Sequence, residues 1–343
     1  MELVKCSNLK GVISMFYPDR FLSEWIKNTV DNKQQVSKEE LRAQLLLKLG
    51  LVPTPATATT HRVIETVACE GYTRERVVFQ TAEHLPVPVY VLTPHLNKAR
   101  FPGVLALHGH GAGSRELVGL TDKGLEVTGD PGIHQRFAVQ LVKRGFKVFV
   151  LEVLGFGERI LVRDVDNKNN SCFGLAAGLL MAGSTLAGMR TFEARRTVDL
   201  MQTFKDVQSE QIGIFGFSGG ALVASLTAAL DQRIQATVLS GFANTYQDSI
   251  LAMDHCIDNY IPTILNLAEL PEMIGLISPR KLFIEAGAAD PIFPIHGVKA
   301  AIEQLKEQYE KQKANNHFDY DIFQGAHIIN GEKALPWLED ALR

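Results

Sequence analysis

The segment from Gln211 to Leu230, QIGIFGFSGGALVASLTAAL, constrains the fold more than any other part of the chain. Its first residues alternate around Ile212 and predict a short buried strand, and the Ala- and Leu-rich run Ala221–Leu230 predicts a helix. Between them, Gly216–Gly220 reads GFSGG, which is a G-x-S-x-G motif at a strand-to-helix turn. Such a turn exposes its serine at the carboxyl end of a sheet, so we predict that Ser218 is a nucleophile.

Glycines flank the serine because a turn this sharp crowds the backbone. Gly216, Gly219 and Gly220 have no β-carbon and tolerate strained dihedral angles, so we expect them to absorb the strain of the turn. The following helix would point its free N–H groups at an oxyanion formed near Ser218.

Strands and helices alternate from Phe101 onwards. Strands are predicted in PGVLALHGHG, FKVFVLEV, RIQATVLSG, RKLFIEAG and FDYDIF, and helices in IHQRFAVQLVKRG, MRTFEARRTVDLMQTF, IHGVKAAIEQLKEQYEKQ and KALPWLEDALR. Because consecutive parallel strands are joined by right-handed crossovers, this order predicts an α/β fold with a mostly parallel sheet and helices on both faces.

The residues before Phe101 follow two other patterns. Residues 16–50 are helical in pattern, with Ser37 as a predicted N-cap and Gly50 as the end, and residues 52–60 form a proline-containing connector. Three alternating segments then predict an antiparallel meander, in which Pro86 and Pro88 indicate an edge strand. We therefore predict an N-terminal helical extension over residues 1–60 and a main domain over residues 61–343.

Two stretches of the main domain are too long for simple connections. They lie near residues 155–190 and 242–277, each after a predicted strand. Because long insertions at the carboxyl ends of strands commonly line a site, we expect both to form the walls of a substrate pocket.

The charge pattern argues against nucleic acid or an anionic membrane as a partner. The formal net charge is -3, and acidic and basic residues are interspersed. The first twenty residues contain no apolar core of signal-peptide length, and no run of eighteen apolar residues follows. A small-molecule ligand and a soluble cytoplasmic protein are the expectations; the oligomeric state is not predicted.

The four cysteines are Cys6, Cys69, Cys172 and Cys256, and no two of them form a C-x-x-C pair. This wide spacing argues against a zinc site or a dense disulfide framework. Cys172 and Cys256 are candidates for reactivity, but the expected role of each is that of a small apolar side chain.

A serine nucleophile needs a base, and the base needs an acid that orients it. On a parallel sheet these partners follow in the order serine, acid, histidine. Asp290 comes just after the predicted strand Lys281–Glu285, and His327 just after the strand Phe318–Phe323. We therefore predict Ser218, Asp290 and His327 as a catalytic set.

Other residues compete for two of these roles. His255, His296 and His317 are alternative bases, although His327 fits the chain order better. Asp248, after the preceding strand, is an alternative acid, and Asp290 before a proline could be only a turn former.

The glycine-rich loop HGHGAG after the first parallel strand predicts part of an oxyanion hole. One donor would be the N–H of Gly219, and the second the N–H of His110 or Gly111. His108 and His110 could be read as a metal pair, but no further ligand follows in the loop. The loop also does not match the G-x-G-x-x-G motif of a dinucleotide-binding site. Glu152, at the end of the next predicted strand, would be the acid that such a site needs.

These residues together resemble the α/β-hydrolase superfamily. The resemblance covers about Arg62 to the C-terminus and rests on the H-G-x-G loop, the GFSGG turn, AGAADPIFP and GAH. The leading helices, GFGER, HCIDNYIP and LISPRKLFIEAG resemble more narrowly the acetyl-xylan-esterase-related and dienelactone-hydrolase-like bacterial hydrolases.

The resemblance implies a serine carboxylic ester hydrolase that acts on small acyl esters, for example acetylated sugars, with no metal or organic cofactor. In that mechanism Ser218 attacks the ester carbonyl, His327 transfers the proton and Asp290 orients His327. Two alternatives stay open, namely a serine peptidase or amidase of related fold and a non-catalytic binding module on the same fold.

Overall fold

A mixed sheet runs through the computed structural model, which describes residues 17–56 and 59–343. Nine strands form it within those residues, in the spatial order β1-β2-β3-β5-β4-β6-β7-β8-β9. Their bounds are β1 His61–Cys69, β2 Tyr72–Ala82, β3 Leu85–Pro94, β4 Phe101–Leu107, β5 Lys147–Leu151, β6 Val207–Phe217, β7 Ile234–Ser240, β8 Lys281–Gly287 and β9 Phe318–Phe323.

The directions of the strands confirm the predicted architecture. Strands β1, β2 and β3 form an antiparallel meander, and β3 also pairs antiparallel with β5. From β5 across to β9 every pairing is parallel. The carboxyl ends of these six strands therefore lie at one edge of the sheet, where loops from distant parts of the chain can meet.

The prediction of an edge strand at Pro86 and Pro88 is wrong. Strand β3 lies between β2 and β5, and the edge strand of the meander is β1. The two prolines are tolerated because the ladder with β5 covers only Val89–Leu92, so neither lies opposite a β5 residue.

Ten α-helices are found in the part of the chain that the structure describes. Their bounds are α1 Asp19–Asp31, α2 Lys38–Leu49, α3 Ser114–Leu117, α4 Phe137–Lys143, α5 Cys172–Met181, α6 Leu186–Thr203, α7 Gly219–Leu230, α8 Leu270–Ile274, α9 Ile295–Lys311 and α10 Ala334–Ala341.

Helices cover both faces of the sheet, as predicted. Leu105 and Leu107 of β4 point into one apolar core with α2, α6, α7 and α9, whereas Val104 and Ala106 point into a second core with α4 and α10. Because β4 is buried on both faces at every position except Pro102, its sequence is apolar throughout and does not alternate with polar residues.

Several helices differ from their predicted bounds; α6, for example, begins at Leu186, three residues before the predicted start at Met189. Helix α4 was expected over Ile133–Gly145 but begins only at Phe137, because Gln135 and Arg136 adopt left-handed backbone angles that a helix cannot include. Helix α7 begins at Gly219 instead of Ala221, directly after the serine.

The N-terminal segment packs against the main domain. Ser37 caps α2 as predicted, and Leu45 and Leu49 of this helix enter the core that contains α6 and α7. Arg42 donates hydrogen bonds to the carbonyls of Ala229 and Leu276, at 3.2 and 2.8 Å. The helix is therefore held by both apolar burial and polar contacts.

None of the helices in the described ranges combines the length and apolar character needed to cross a membrane. The predicted lack of a leader and the prediction for Cys6 concern residues 1–16, which lie outside the described residues.

Replacing Leu45 by alanine tests the packing of α2. The side chain is 0% exposed, so its loss leaves a cavity, and we expect the free energy of unfolding to fall by about 2–5 kcal/mol. Leu47, in the same helix, is 77% exposed, and Leu47→Ala should change it by less than about 0.5 kcal/mol. Urea unfolding of both variants measures the difference, and equal effects would show that α2 is not part of the core.

Candidate active site

Ser218 lies at the turn between β6 and α7, at the carboxyl edge of the sheet. Its backbone angles are φ 53° and ψ -123°, a combination that costs a non-glycine residue about 1–3 kcal/mol. The N–H of Ser218 donates to the carbonyl of Ser240 at 2.9 Å, which ties the turn to the end of β7. The half-buried side chain is thereby held out from the end of the strand.

The expectation that the glycines take the strained angles is wrong, because Gly216, Gly219 and Gly220 all have φ outside the left-handed region. Two of them are needed for close approach instead. A β-carbon on Gly216 would lie 2.4 Å from the carbonyl oxygen of Gly220, and one on Gly220 would lie 2.2 Å from that of Leu107. The strain is on Ser218 itself.

His327 connects Ser218 to Asp290. Its Nε2 lies 2.9 Å from the Oγ of Ser218, and its Nδ1 lies 2.6 Å from Oδ2 of Asp290. This geometry fits the tautomer in which Nδ1–H donates to the carboxylate and Nε2 accepts from the serine hydroxyl. The imidazole side chain is 13% exposed and the carboxylate side chain 2%.

Further contacts hold the two partners in place. Oδ1 of Asp290 accepts from the N–H groups of Ile292 and Phe293, at 2.8 and 3.1 Å. The His327 ring lies between Phe217 and Phe293, with ring centroids 4.8 and 5.8 Å away. Both side chains are therefore fixed before any ligand binds.

Glu285 supports the loop of His327 and was missed at the sequence level. Its carboxylate accepts from the Ser240 hydroxyl at 2.8 Å and from the N–H groups of Asn330 and Gly331, at 3.2 and 2.7 Å. Burial raises the pKa of Glu285, and these hydrogen bonds act against that rise. The available signal was an acidic residue inside the apolar strand KLFIEAG.

The competing histidines and aspartate have other partners. Nδ1 of His317 lies 2.7 Å from the carbonyl of Pro279, and Nε2 of His255 lies 3.1 Å from the hydroxyl of Ser249. Nε2 of His296 lies 3.5 Å from Oδ1 of Asp248, so the alternative base and the alternative acid contact each other. Within the described ranges, only His327 is hydrogen-bonded to Ser218.

A chain of hydrogen bonds fixes the glycine-rich loop after β4. The N–H of Gly109 donates to Nε2 of His134 at 3.0 Å, and Nδ1 of His134 contacts Glu116, which also accepts from Ala112. Although burial acts in the opposite direction, the contact with His134 lowers the pKa of Glu116. The N–H of Gly109 is thus already used.

Three N–H groups near the serine remain free. Among the residues that the structure describes, no protein acceptor takes the backbone N–H of His110, Gly111 or Gly219. A β-carbon built on Gly219 would lie 3.2 Å from the ring of His110, so the loop and the turn are adjacent. These are the donors that the sequence predicted for an oxyanion.

His108 and Glu152 have structural partners. Nε2 of His108 accepts from the N–H of Val153 at 3.1 Å, and burial lowers the pKa of His108 to about 3. Glu152 accepts from the N–H and hydroxyl of Ser114, at 3.0 and 2.6 Å. Neither side chain is available as a metal ligand or as a ribose acceptor.

Cys172 and Cys256 meet in space, contrary to what their spacing in the sequence suggested. One ring nitrogen of His110 and the two Sγ atoms all lie within 4.8 Å of one another. The nearby Cys256 thiol, then His110 and the Arg190 guanidinium, lower the pKa of Cys172 to about 5. The Cys172 sulfur also accepts a hydrogen bond from Arg190 Nη2 at 3.2 Å.

A cavity of about 900 Å³ opens beside His110 and Gly111. The first insertion supplies part of its wall, including Phe156 and Lys168, and residues 115–136 supply much of the rest. The second insertion does not line this cavity. It approaches the serine turn at another point, where the Asp258 carboxylate lies 3.7 Å from the position that a β-carbon on Gly219 would occupy.

The sheet order and the serine turn define the α/β-hydrolase fold. The chain belongs to the Abhydrolase family, whose match extends over residues 10–336.

Three known proteins illustrate this relationship. A Bacillus subtilis (strain 168) protein, named "Putative hydrolase YtaP", is 27% identical over 288 residues, which are 81% of this chain and 89% of that protein. A Bacteroides fragilis structure described as a "putative acetyl xylan esterase" has a TM-score of 0.73 at 18% identity, covering 89% of this chain and 87% of its own. A glucuronoyl esterase from Solibacter usitatus has a TM-score of 0.65 at 14% identity, with 89% and 91% covered.

Replacing Gly220 by alanine tests the close packing of the turn. The new β-carbon would meet two backbone carbonyl oxygens, of Leu107 at 2.2 Å and of His108 at 2.5 Å, so we expect a loss of at least about 1–3 kcal/mol of stability. Gly178→Ala is a matched control, because Gly178 lies inside α5 with nothing within 4 Å of its β-carbon position. That change should stabilise by roughly 0.5–1 kcal/mol. Thermal unfolding that ranks the two variants in the opposite order would contradict this account.

Proposed function

We propose that the chain is a serine carboxylic ester hydrolase that acts on small acyl esters through an acyl-enzyme. The observation that carries the proposal is the position of the His327 imidazole, 2.9 Å from the Ser218 hydroxyl and 2.6 Å from the Asp290 carboxylate. Membership of the Abhydrolase family supports the hydrolase class.

The first half of the reaction forms the acyl-enzyme. Ser218 Oγ attacks the ester carbonyl carbon while Nε2 of His327 takes the hydroxyl proton, which gives a tetrahedral oxyanion. His327 then gives that proton to the alkoxide oxygen as the C–O bond breaks, so the alcohol leaves neutral. Asp290 stabilises the imidazolium that exists between these two transfers.

The second half hydrolyses the acyl-enzyme. Water takes the place of the alcohol and gives one proton to His327 as its oxygen attacks the acyl carbon. The bond to Ser218 Oγ then breaks, and His327 returns the proton to that oxygen. The carboxylic acid leaves and the serine is regenerated, without a metal or an organic cofactor.

The oxyanion is assigned to the free N–H groups of the turn and the loop. Gly219 would give one hydrogen bond, and His110 or Gly111 the other. Each donor of this kind lowers the barrier by about 2.7–4 kcal/mol, because it is already oriented before the charge develops. The bond between Gly109 and His134 keeps the loop in that orientation.

The substrate would be a polar ester, such as an acetylated sugar. The cavity beside His110 is lined by several groups that hydrogen-bond to hydroxyls, among them Arg115, Asp130, Asn169 and Asn170. Its position next to the oxyanion loop suits the alcohol part of an ester whose acyl carbon is at Ser218. The similar structures described as acetyl xylan and glucuronoyl esterases support this substrate class.

Ser218→Ala is the direct test of the nucleophile. We expect kcat/KM for a short-chain nitrophenyl ester to fall at least about 10³-fold, with the unfolding transition retained. Ser209→Ala, at an exposed serine of β6, is the matched control and should leave the rate unchanged. Retained hydrolysis by Ser218→Ala would remove the esterase assignment, and faster turnover of a matched peptide or amide would favour a peptidase instead.

Asp290→Asn and Asp248→Asn distinguish the two candidate acids. Because an amide cannot hold the His327 tautomer, Asp290→Asn should lower kcat by roughly 10⁴-fold. Asp248 contacts His296 and Thr245, so its replacement should change kcat less than about threefold. Steady-state rates measured on both variants would contradict the assignment if their order were reversed.

A further inference from the structure

Three metal-binding side chains converge behind the oxyanion loop. His110 comes from the loop after β4, Cys172 is the first residue of α5, and Cys256 belongs to the second insertion. One nitrogen and two sulfur atoms of these residues lie within 4.8 Å of one another. In the described part of the chain, these three residues form the one group of this kind.

The polar atoms of this group take no part in the hydrogen bonds among Ser218, Asp290 and His327. Nε2 of His110 is buried and has no hydrogen-bond partner among the described residues, which is costly for a polar atom. Cys172 and Cys256 are free cysteines, the first buried and the second half-buried. None of the three side chains is hydrogen-bonded to Ser218, Asp290 or His327.

The donor set selects the kind of ion. Two thiolates and an imidazole are soft or borderline ligands that suit zinc, whereas magnesium and calcium prefer oxygen. Tetrahedral zinc needs sulfur and nitrogen ligands about 3.5–3.8 Å apart, so the three atoms would have to approach one another by about 1.3 Å at most. Three protein ligands leave a fourth position for water or another small ligand.

We propose that His110, Cys172 and Cys256 bind one zinc ion. The two thiol protons leave to solvent on binding, so the pair of thiolates neutralises the charge of the ion. The site differs from the His108–His110 pair considered from the sequence, because His108 is bonded to Val153 and takes no part.

The surrounding side chains fit a metal-bound thiolate. Arg190 Nη2 lies 3.2 Å from the Cys172 sulfur, and the same guanidinium pairs with Asp258 and donates to the carbonyl of Leu154 at 2.6 Å. The His110 ring packs edge-on against Phe156, with centroids 4.9 Å apart. Such outer contacts orient the ligands of metal sites.

Binding would tie three segments together. The ion would join the oxyanion loop to α5 and to the second insertion, and so fix the backbone whose N–H groups are free. Because binding is measured without substrate, the zinc site and the proposed hydrolase activity can fail independently.

The test uses the full chain, purified under reducing conditions and freed of metal with a chelator. Zinc is titrated in competition with a chromophoric indicator, and cobalt is titrated separately, because thiolate-bound cobalt absorbs by charge transfer. We expect one zinc per chain and a cobalt thiolate band. Cys172→Ser and Cys256→Ser should each weaken zinc binding at least about 100-fold and remove the band, and His110→Ala should also weaken binding.

Cys69→Ser is the matched control, since Cys69 is a free cysteine on β1 outside the group, and it should bind zinc as the unaltered chain does. Circular dichroism checks that each variant is folded. If Cys172→Ser does not fold, Cys256→Ser carries the test, because Cys256 is only half-buried. Zinc binding equal in the chain and in the Cys172→Ser and Cys256→Ser variants would overturn the proposal. A thiol count that shows a disulfide between Cys172 and Cys256 even after purification under reducing conditions would also overturn it.

Discussion

The backbone at Ser218 is the constraint on which the site depends. A non-glycine residue in this conformation is unfavourable by itself, so the surrounding contacts must determine it. One of these contacts is the hydrogen bond from the N–H of Ser218 to the carbonyl of Ser240. In addition, backbone atoms lie so close to Gly216 and Gly220 that a β-carbon at either position would clash with them. The turn thus uses its glycines for packing and keeps the strain on the residue whose side chain must project.

The parallel part of the sheet brings the partners of this turn together. Asp290 follows β8 and His327 follows β9, and both loops start at the edge where β6 ends. Two acids then fix the loops. The buried Glu285 holds the residues after His327, and the partly buried Glu116 acts through His134 on the loop of His110. Carboxylates in these positions satisfy backbone N–H groups that would otherwise be buried without partners.

The sequence predicted what local pattern and chain order determine. Alternation of strands and helices predicted the sheet, and the order of Ser218, Asp290 and His327 predicted which loops would meet. Predictions from the sequence were wrong where contacts between residues far apart in the chain determine the structure. Pro86 and Pro88 suggested an edge, but the length of the ladder with β5 permits them inside the sheet. Cys172 and Cys256 looked isolated because they are 84 positions apart in the sequence. The two insertions that carry them both contact α6, and this tertiary packing brings the two thiols to His110.

A crystal structure of the protein after reaction with a fluorophosphonate tests the central claim most directly, because the adduct imitates the tetrahedral intermediate. We expect phosphorus bonded to Oγ of Ser218, with the phosphoryl oxygen about 2.7–3.1 Å from the backbone nitrogen of Gly219 and from that of His110 or Gly111. An adduct on another residue, or an adduct on Ser218 whose oxygen points away from both N–H groups, would contradict it.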